Sequence, residues 1–301
     1  MALSTAKVVA SHTGRAEVLI GSADHGSIRA EADSSGLTVR HIPLDRRGAP
    51  DPNHLRAMIS DGTALVSVVG VNNENGAIAE LAEIATLCRS RRVLFHADLA
   101  QAPLALDIDL LHLDIPLATI SAHKLYGPKG IGALLVGPGA SDLVKPVIVG
   151  AGQQGGRRGG TMPTELIMGF GEACRLVSID GQAERERISF LRNRFVEILE
   201  EKQIASLVGG RENRHPGNAL MHVRGQNAAD LLARLQPHIA ASTQSACSSG
   251  TIEPSHVLSA MGVNREAASE CIRFGFGRFS DCGQVDRAAA LLIEELTRNS
   301  I

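Results

Sequence analysis

A hydroxyl, an imidazole, two lysines and three glycines crowd the run Ser121-Ala122-His123-Lys124-Leu125-Tyr126-Gly127-Pro128-Lys129-Gly130-Ile131-Gly132. Glycine lets a ligand come close to the backbone. Ser, His and Lys side by side can hold an anion or form a Schiff base with a carbonyl compound. A surface turn with solvated lysines would show the same residue types, so the neighbourhood has to decide. Further polar groups follow other apolar runs: His25 after residues 17–21, Asn73 after 64–69, and Asp98 and Gln101 after 93–97. Each is a residue type that binds, caps or titrates, and each stands at the end of a predicted strand.

The elements that must position these groups alternate along the chain. Strands are predicted over 17–21, 37–42, 64–69, 93–97, 115–119 and 132–136. The 64–69 run is near-continuous in apolar and β-branched residues, as a strand buried on both faces requires. Helices are predicted over 28–33, from Asp51-Pro52-Asn53 onward with Pro in the first turn, and where Ile78, Leu81, Ile84, Ala85, Leu87 and Cys88 recur at helical spacing. Such alternation implies an α/β fold, a mostly parallel sheet flanked by helices. Ligands in these folds bind at the carboxyl ends of the strands, where His25, Asn73, Asp98, Gln101, Ser121, His123 and Lys124 all fall.

A glycine-rich stretch, 150–161, carries Arg157, Arg158 and Thr161 and suits an anion-contacting loop. Two helices are predicted after it, over 163–177 and 182–202. Strand candidates at 219–223, 239–242 and 271–276, with helices over 227–235 and 284–298, indicate a smaller C-terminal α+β domain. The expected division is a ligand-binding domain at 1–180 and a second domain at 181–301.

Composition narrows the function classes. A chain of 301 residues with 44% apolar residues has length for about two domains. A net charge of -2, no Trp and one Tyr leave neither the basic footprint nor the stacking platforms of a nucleic-acid binder. No apolar run reaches the length of a membrane span, and the first residues lack the apolar core of a secretory signal. The five cysteines, Cys88, Cys174, Cys247, Cys271 and Cys282, are scattered, with no CxxC pair. Neither a disulfide framework nor a metal site is expected, and a reducing cytoplasm fits best. Cys88, Cys174 and Cys271 read as small core residues. Cys247, set in Ser242-Thr243-Gln244-Ser245 and Ser248-Ser249-Gly250, reads as an exposed thiol.

Phe95-His96-Ala97-Asp98-Leu99-Ala100-Gln101 followed by Ser121-Ala122-His123-Lys124-Leu125-Tyr126-Gly127-Pro128-Lys129-Gly130 resembles the signature of the cysteine desulfurases, class V aminotransferase-like, fold-type-I enzymes that use pyridoxal 5'-phosphate. Val71-Asn72-Asn73-Glu74, Gly159-Gly160-Thr161, Gln244-Ser245-Ala246-Cys247-Ser248-Ser249 with Glu253-Pro254-Ser255, and Arg273-Phe274-Gly275-Phe276-Gly277-Arg278-Phe279 extend the likeness in order from about Glu17 to the end. The resemblance implies that Lys124 carries the cofactor and moves protons. Asp98 would pair with the pyridinium nitrogen, Gln101 would reach the phenolic oxygen and His25 would stack on the ring. Asn73 would lie near the phenolic oxygen and the substrate carboxylate. Ser121 and His123 would hold the phosphate, helped by Thr161 across a homodimer, and Arg273 would fork onto the substrate carboxylate. Cys247 would take sulfur from L-cysteine as a persulfide, release alanine and pass the sulfur to an iron–sulfur scaffold or a thiolation carrier.

The resemblance also has departures. Family members carry several dozen residues ahead of the strand at 17–21, including a Gly-Ala-Thr-Glu-type turn at a helix N-terminus that cradles phosphate. Without it the phosphate rests on Ser121, His123 and Thr161, and the sheet lacks an early strand. The expectation is a longer protein, a degenerate remnant, or a second polypeptide that supplies the part. Gln154 and Gly155 stand where the family usually has charge. Two alternative functions follow: a selenocysteine lyase or related β-eliminating enzyme, and an inactive relative that serves as a binding partner.

Overall fold

The computed structural model describes residues 1–243 and 255–298. The chain forms two compact units: Met1–Asp45 with Ala49–Val71 and Ala79–Asp180, and a second unit of Arg46–Gly48, Asn72–Ile78 and the chain from Gly181 onward. Two short segments from the first half of the chain therefore pack with the second unit. Ile78 shows why: its N–H bonds to the Asn213 carbonyl (3.0 Å), and Ala77 bridges Arg214. The helix expected from Ile78 accordingly starts only at Leu81.

In the first unit the order is α1 (Ser4–Thr13), β1 (Glu17–Gly21), α2 (Gly26–Asp33), β2 (Thr38–Ile42), α3 (Pro52–Met58), β3 (Thr63–Val69), α4 (Leu81–Ser90), β4 (Leu94–Asp98), β5 (Leu117–Ser121), β6 (Gly132–Val136), the short turn α5 (Gln153–Gly156) and the first part of the long α6 (Thr164–Glu201), whose residues from Gly181 belong to the second unit. The six strands lie in the order β2-β1-β3-β4-β5-β6. The first five are parallel, and β6 runs antiparallel to β5. Every residue of β3 is buried, as its apolar run requires. α3 is capped as its sequence implies, with Asp51 Oδ1 accepting the Asn53 N–H (2.8 Å) and Pro52 in the first turn. The mostly parallel sheet flanked by helices is the architecture expected from the alternation.

Two helices differ from expectation. α1 has no side-chain cap at Leu3 and gave no start signal. It is held by packing, with Leu3 and Ala6 against Val18, Ile20, Ala32 and Leu65, and it ends on Gly14 in the left-handed conformation (φ 75°). The two helices predicted over 163–202 are one helix, α6. No proline interrupts it, and Gly181, the glycine between the two expected helices, costs only about 1 kcal/mol relative to alanine.

The second unit adds β7 (Ser206–Leu207), β8 (Asn218–His222), α7 (Ala228–Arg234), β9 (Ser242–Thr243), α8 (His256–Ala260), α9 (Arg265–Ser269), β10 (Cys271–Gly275) and α10 (Cys282–Arg298). Its sheet is antiparallel in the order β7-β8-β10-β9. Of the strand expected at 239–242 only β9 forms, because Ile239 turns into the core instead of joining the ladder. Leu191, Phe195 and Leu199 of α6 pack there against Met221, Leu231, Ile272, Phe274 and Leu292. No helix among the described residues is long and apolar enough to cross a membrane.

Phe195 is the centre of this core: it is fully buried, and its ring lies 4.8 Å from that of Phe274 and 5.4 Å from that of Phe276. Phe195→Ala is expected to destabilise the second unit by about 3–5 kcal/mol, read as a lowered urea midpoint. A midpoint unchanged from wild type would show that the ring cluster is not the core's anchor.

Candidate functional site

β1, β3, β4 and β5 are parallel, so their carboxyl ends share one edge of the sheet. His25 follows β1 and caps α2. Its Nδ1 accepts the Ser27 N–H (3.2 Å) and lies 2.8 Å from the Ser27 hydroxyl, which fixes the ring at the surface. Asp98 is the last residue of β4 and only 9% exposed. Its Oδ1 accepts the Ala100 N–H (3.0 Å) and the hydroxyl of Thr119 (3.3 Å), its neighbour in the β5 ladder. Gln101 is half-buried in the turn that follows.

Ser121 ends β5, and its hydroxyl lies 2.9 Å from His123 Nδ1. Ala122–Lys124 form a 3-10 turn, and the Leu125 and Gly127 N–H groups both bond to the Ala122 carbonyl (3.0 and 2.9 Å). A Cβ at Gly127 would stand 2.9 Å from that same oxygen, so only glycine fits. Lys124 closes the turn, half-buried. The first unit thus brings together an amine, a hydroxyl–imidazole pair and a buried carboxylate at the ends of adjacent strands. Such a set can hold an anion, attach a carbonyl compound and balance a cationic ring.

In the second unit Asn73 and Arg273 meet. Asn72 builds the turn, with Oδ1 accepting the N–H groups of Glu74 (2.8 Å) and Asn75 (3.0 Å). Arg273 Nη1 then donates to the Asn73 carbonyl (2.8 Å). Glu74 accepts the hydroxyl of Ser255, the residue that caps α8. Thr161 is exposed, with its carbonyl rather than its hydroxyl bonded to Arg158 Nη1 (3.5 Å). Cys247 lies outside the described residues.

Among the other cysteines, Cys174 is exposed on α6 and is not the core residue expected, although it stands one helical turn after buried Phe170. Cys88 and Cys271 are buried, and burial pushes both thiols up to about 12, with Glu270 adding to the shift at Cys271.

Three groups carried no role from the sequence. Asp24 is fully buried just ahead of His25, with Oδ1 accepting the Val69 N–H (2.7 Å). Thr119 secures Asp98. Ser67 and His96 form a buried pair, Oγ to Nδ1 at 2.8 Å. The position of Asp24 after a strand was the only signal; its burial comes from the packing of Gly21, which has no side chain to keep the carboxyl out.

The aminotransferase class-V family model matches residues 2–288. "Cysteine desulfurase IscS" of Rickettsia massiliae (strain Mtu5) is 38% identical over 268 residues, 88% of this chain and 65% of that protein. The protein of the same name from Colwellia psychrerythraea (strain 34H / ATCC BAA-681) is 37% identical over 262 residues, 87% of this chain and again 65% of the relative. The chain thus spans just under two thirds of the length of these relatives. Among solved structures, a "NIFS-LIKE PROTEIN" superposes with a TM-score of 0.88 at 25% identity, covering 98% of this chain and 80% of that one. The NifS-like protein from Rickettsia africae ESF-5 gives 0.85 at 25% identity, covering 98% and 79%.

His96 gives the edge a measurable pH signature. Burial lowers its pKa from 6.5 to about 3, so the folded protein keeps the ring neutral while the unfolded chain protonates it near 6.5. Stability is therefore full above that value and is lost as pH falls from about 6.5 toward 3, by at most about 1.4 kcal/mol per pH unit. His96→Gln is expected to flatten the urea midpoint against pH by one proton's slope over that window. An identical slope would show that His96 is charged in the folded state.

Proposed function

Because the chain belongs to the aminotransferase class-V family, we propose that it is a pyridoxal-phosphate-dependent cysteine desulfurase that converts L-cysteine to L-alanine and leaves the sulfur on Cys247. The observation that carries this reading is Lys124 closing the turn after β5 while Asp98 ends the adjacent β4, buried and held by two donors. The curated relatives are cysteine desulfurases, which supports this substrate over a selenium analogue.

The residues present fit the cofactor. Ser121 Oγ and the His123 ring offer paired donors to a phosphate, with Thr161 of a neighbouring copy as a third. Asp98 offers a carboxylate to a protonated ring nitrogen, Gln101 an amide to the phenolic oxygen, and the His25 ring a stacking face. Lys124 offers the amine for attachment. When bound, pyridoxal phosphate supplies an electron sink that weakens bonds at the substrate's α- and β-carbons. Arg273 would clamp the substrate carboxylate beside Asn73, and the Lys124 amine, once free, would carry protons between substrate carbons.

Cys247 as thiolate would attack the substrate sulfur. An S–S bond forms as the C–S bond breaks, and the bonding pair stays with the carbon fragment. The transferred sulfur is oxidised to the persulfide level while the β-carbon is reduced to the methyl of alanine, so no outside reductant is needed for the turnover. The persulfide would pass to a protein acceptor of the iron–sulfur scaffold or thiolation type. A homodimer suits the exposed apolar run Val147-Ile148-Val149 and Met168 of the first unit, and a reducing cytoplasm suits a persulfide.

The test is spectroscopic and chemical. Protein mixed with pyridoxal phosphate is expected to turn yellow, and Lys124→Ala to lose that colour. Cys247→Ser should keep the colour and lose sulfide release from cysteine, assayed with an added thiol as reductant of the persulfide, by about a hundredfold or more, as expected when the nucleophile itself is removed. A wild-type chain that takes up no cofactor supplied in excess would overturn the proposal.

A further inference from the structure

We propose that Asn218 is a positioning residue of the substrate-carboxylate clamp: it holds the Glu74 carbonyl while Arg273 holds the Asn73 carbonyl, so that the guanidinium is aimed before substrate arrives. The inference rests on the reading of Arg273 as the clamp, but the aim of its side chain can be measured without cofactor or substrate.

Strand register puts both residues within reach of one turn. In the antiparallel β8–β10 ladder Arg273 stands opposite Leu220, and Asn218 stands opposite Gly275. Asn218 and Leu220 are two positions apart on β8, so Asn218 and Arg273 project from one face of the sheet as diagonal neighbours. Gly275 adds no side chain to that face. Asn218 Nδ2 then donates to the Glu74 carbonyl (3.0 Å), and Arg273 Nη1 donates to the Asn73 carbonyl (2.8 Å). The two acceptors belong to consecutive planar peptide units, so fixing one restricts where the other can point.

The neighbours of Asn218 dictate how its amide is turned. Buried Arg214 donates from Nη1 to Asn218 Oδ1 (3.2 Å). A guanidinium can only donate and a carbonyl can only accept, so one orientation of the amide satisfies both. Arg214 is itself held at two further points, through Nε to the Gly210 carbonyl (2.8 Å) and through Nη2 to the Val208 carbonyl. Burial lowers its pKa to about 10, with Arg192 adding to the shift, and it remains a cation at neutral pH. The turn lies directly against the amide: the His215 N–H bonds to the Gly76 carbonyl (2.7 Å), and a Cβ at Gly76 would stand 2.8 Å from Asn218 Cγ. With Nη1 of Arg273 committed to Asn73, the Nε–Nη2 edge bonds to no described residue. That edge is a planar fork of the kind a carboxylate takes.

Asn218→Asp separates aim from packing. It keeps the size of the side chain and an acceptor for Arg214, but sets an oxygen against the Glu74 carbonyl. With cysteine as substrate, this variant is expected to raise KM by about tenfold and to change kcat little, as when binding shared by substrate and transition state is lost. In an Arg273→Ala background the same substitution should leave kcat/KM nearly unchanged, because the residue through which it acts is gone. An equal loss in both backgrounds, or a fall in kcat at unchanged KM, overturns the inference. Nitrogen NMR of the cofactor-free, arginine-labelled protein is expected to show a rotationally restrained Arg273 guanidinium, assigned by its disappearance in Arg273→Lys. In Asn218→Asp that guanidinium should rotate freely. A freely rotating Arg273 in wild type, or an unchanged one in Asn218→Asp, overturns the inference. Should Asn218→Asp not fold, Asn218→Ser removes both bonds without adding charge and takes its place in each measurement. If the chain does not turn over cysteine, the failure lies with the proposed function, and the NMR comparison still decides the role of Asn218.

Discussion

A buried carboxylate needs donors, and the parallel register of three strands is what delivers them to Asp98. Val69, Asp98 and Thr119 occupy one row across β3, β4 and β5. Thr119 gives its hydroxyl to Asp98, and Val69 gives its N–H to Asp24. A slip of one residue in any of these ladders would turn the row's side chains to the opposite face and strand a carboxyl without a donor, a penalty of about 1–3 kcal/mol or more for a charged group. The register itself is specified by burial: β3 has no exposed residue through which it could shift without cost. The chemistry at the edge is thus secured by the apolar core beneath it.

The same row explains why the loop at Ser121 has the sequence it has. β5 delivers Ser121, and the chain must then reverse within a few residues to enter β6 antiparallel to β5. The 3-10 turn and Gly127, pressed against the Ala122 carbonyl, make that reversal. Tyr126 takes a positive φ of 65° in the process, a conformation uncommon for a bulky residue. Strain tolerated at such a point needs surroundings that hold it, and Leu125 and Ala122, both buried against Phe170 and Ala173, provide them. Lys124 is presented by a turn whose shape is fixed from below.

Much of this was legible in the sequence because the signals were local. Strand 64–69 shows itself by apolar continuity, Asp51-Pro52 by capping chemistry, and the site residues by their places after strands. What escaped was whatever depends on distant partners. α1 has no cap and forms because Leu3 and Ala6 find β1 and β3. Residues 72–78 join the second unit through Asn213, Arg214 and Asn218, more than a hundred positions away. Cys174 read as a core residue yet is exposed, one helical turn after buried Phe170. Asp24 was visible only as a polar residue at a strand end, and its burial depends on a glycine three positions earlier.

The distribution of thiols completes the logic. A thiol raised to about 12, as at Cys88 and Cys271, is almost never a thiolate at neutral pH, and the thiolate is the nucleophile. The exposed Cys174 and Cys282 are reachable, but both sit on long helices, α6 and α10, whose backbones offer no freedom to carry sulfur from one place to another. A sulfur carrier has to take its atom at a closed edge and give it up to a partner outside. Of the five cysteines, Cys247 alone stands in a run of small polar residues flanked by serine and glycine. The sulfur transfer proposed for this chain is placed on Cys247 through the likeness to the cysteine desulfurases.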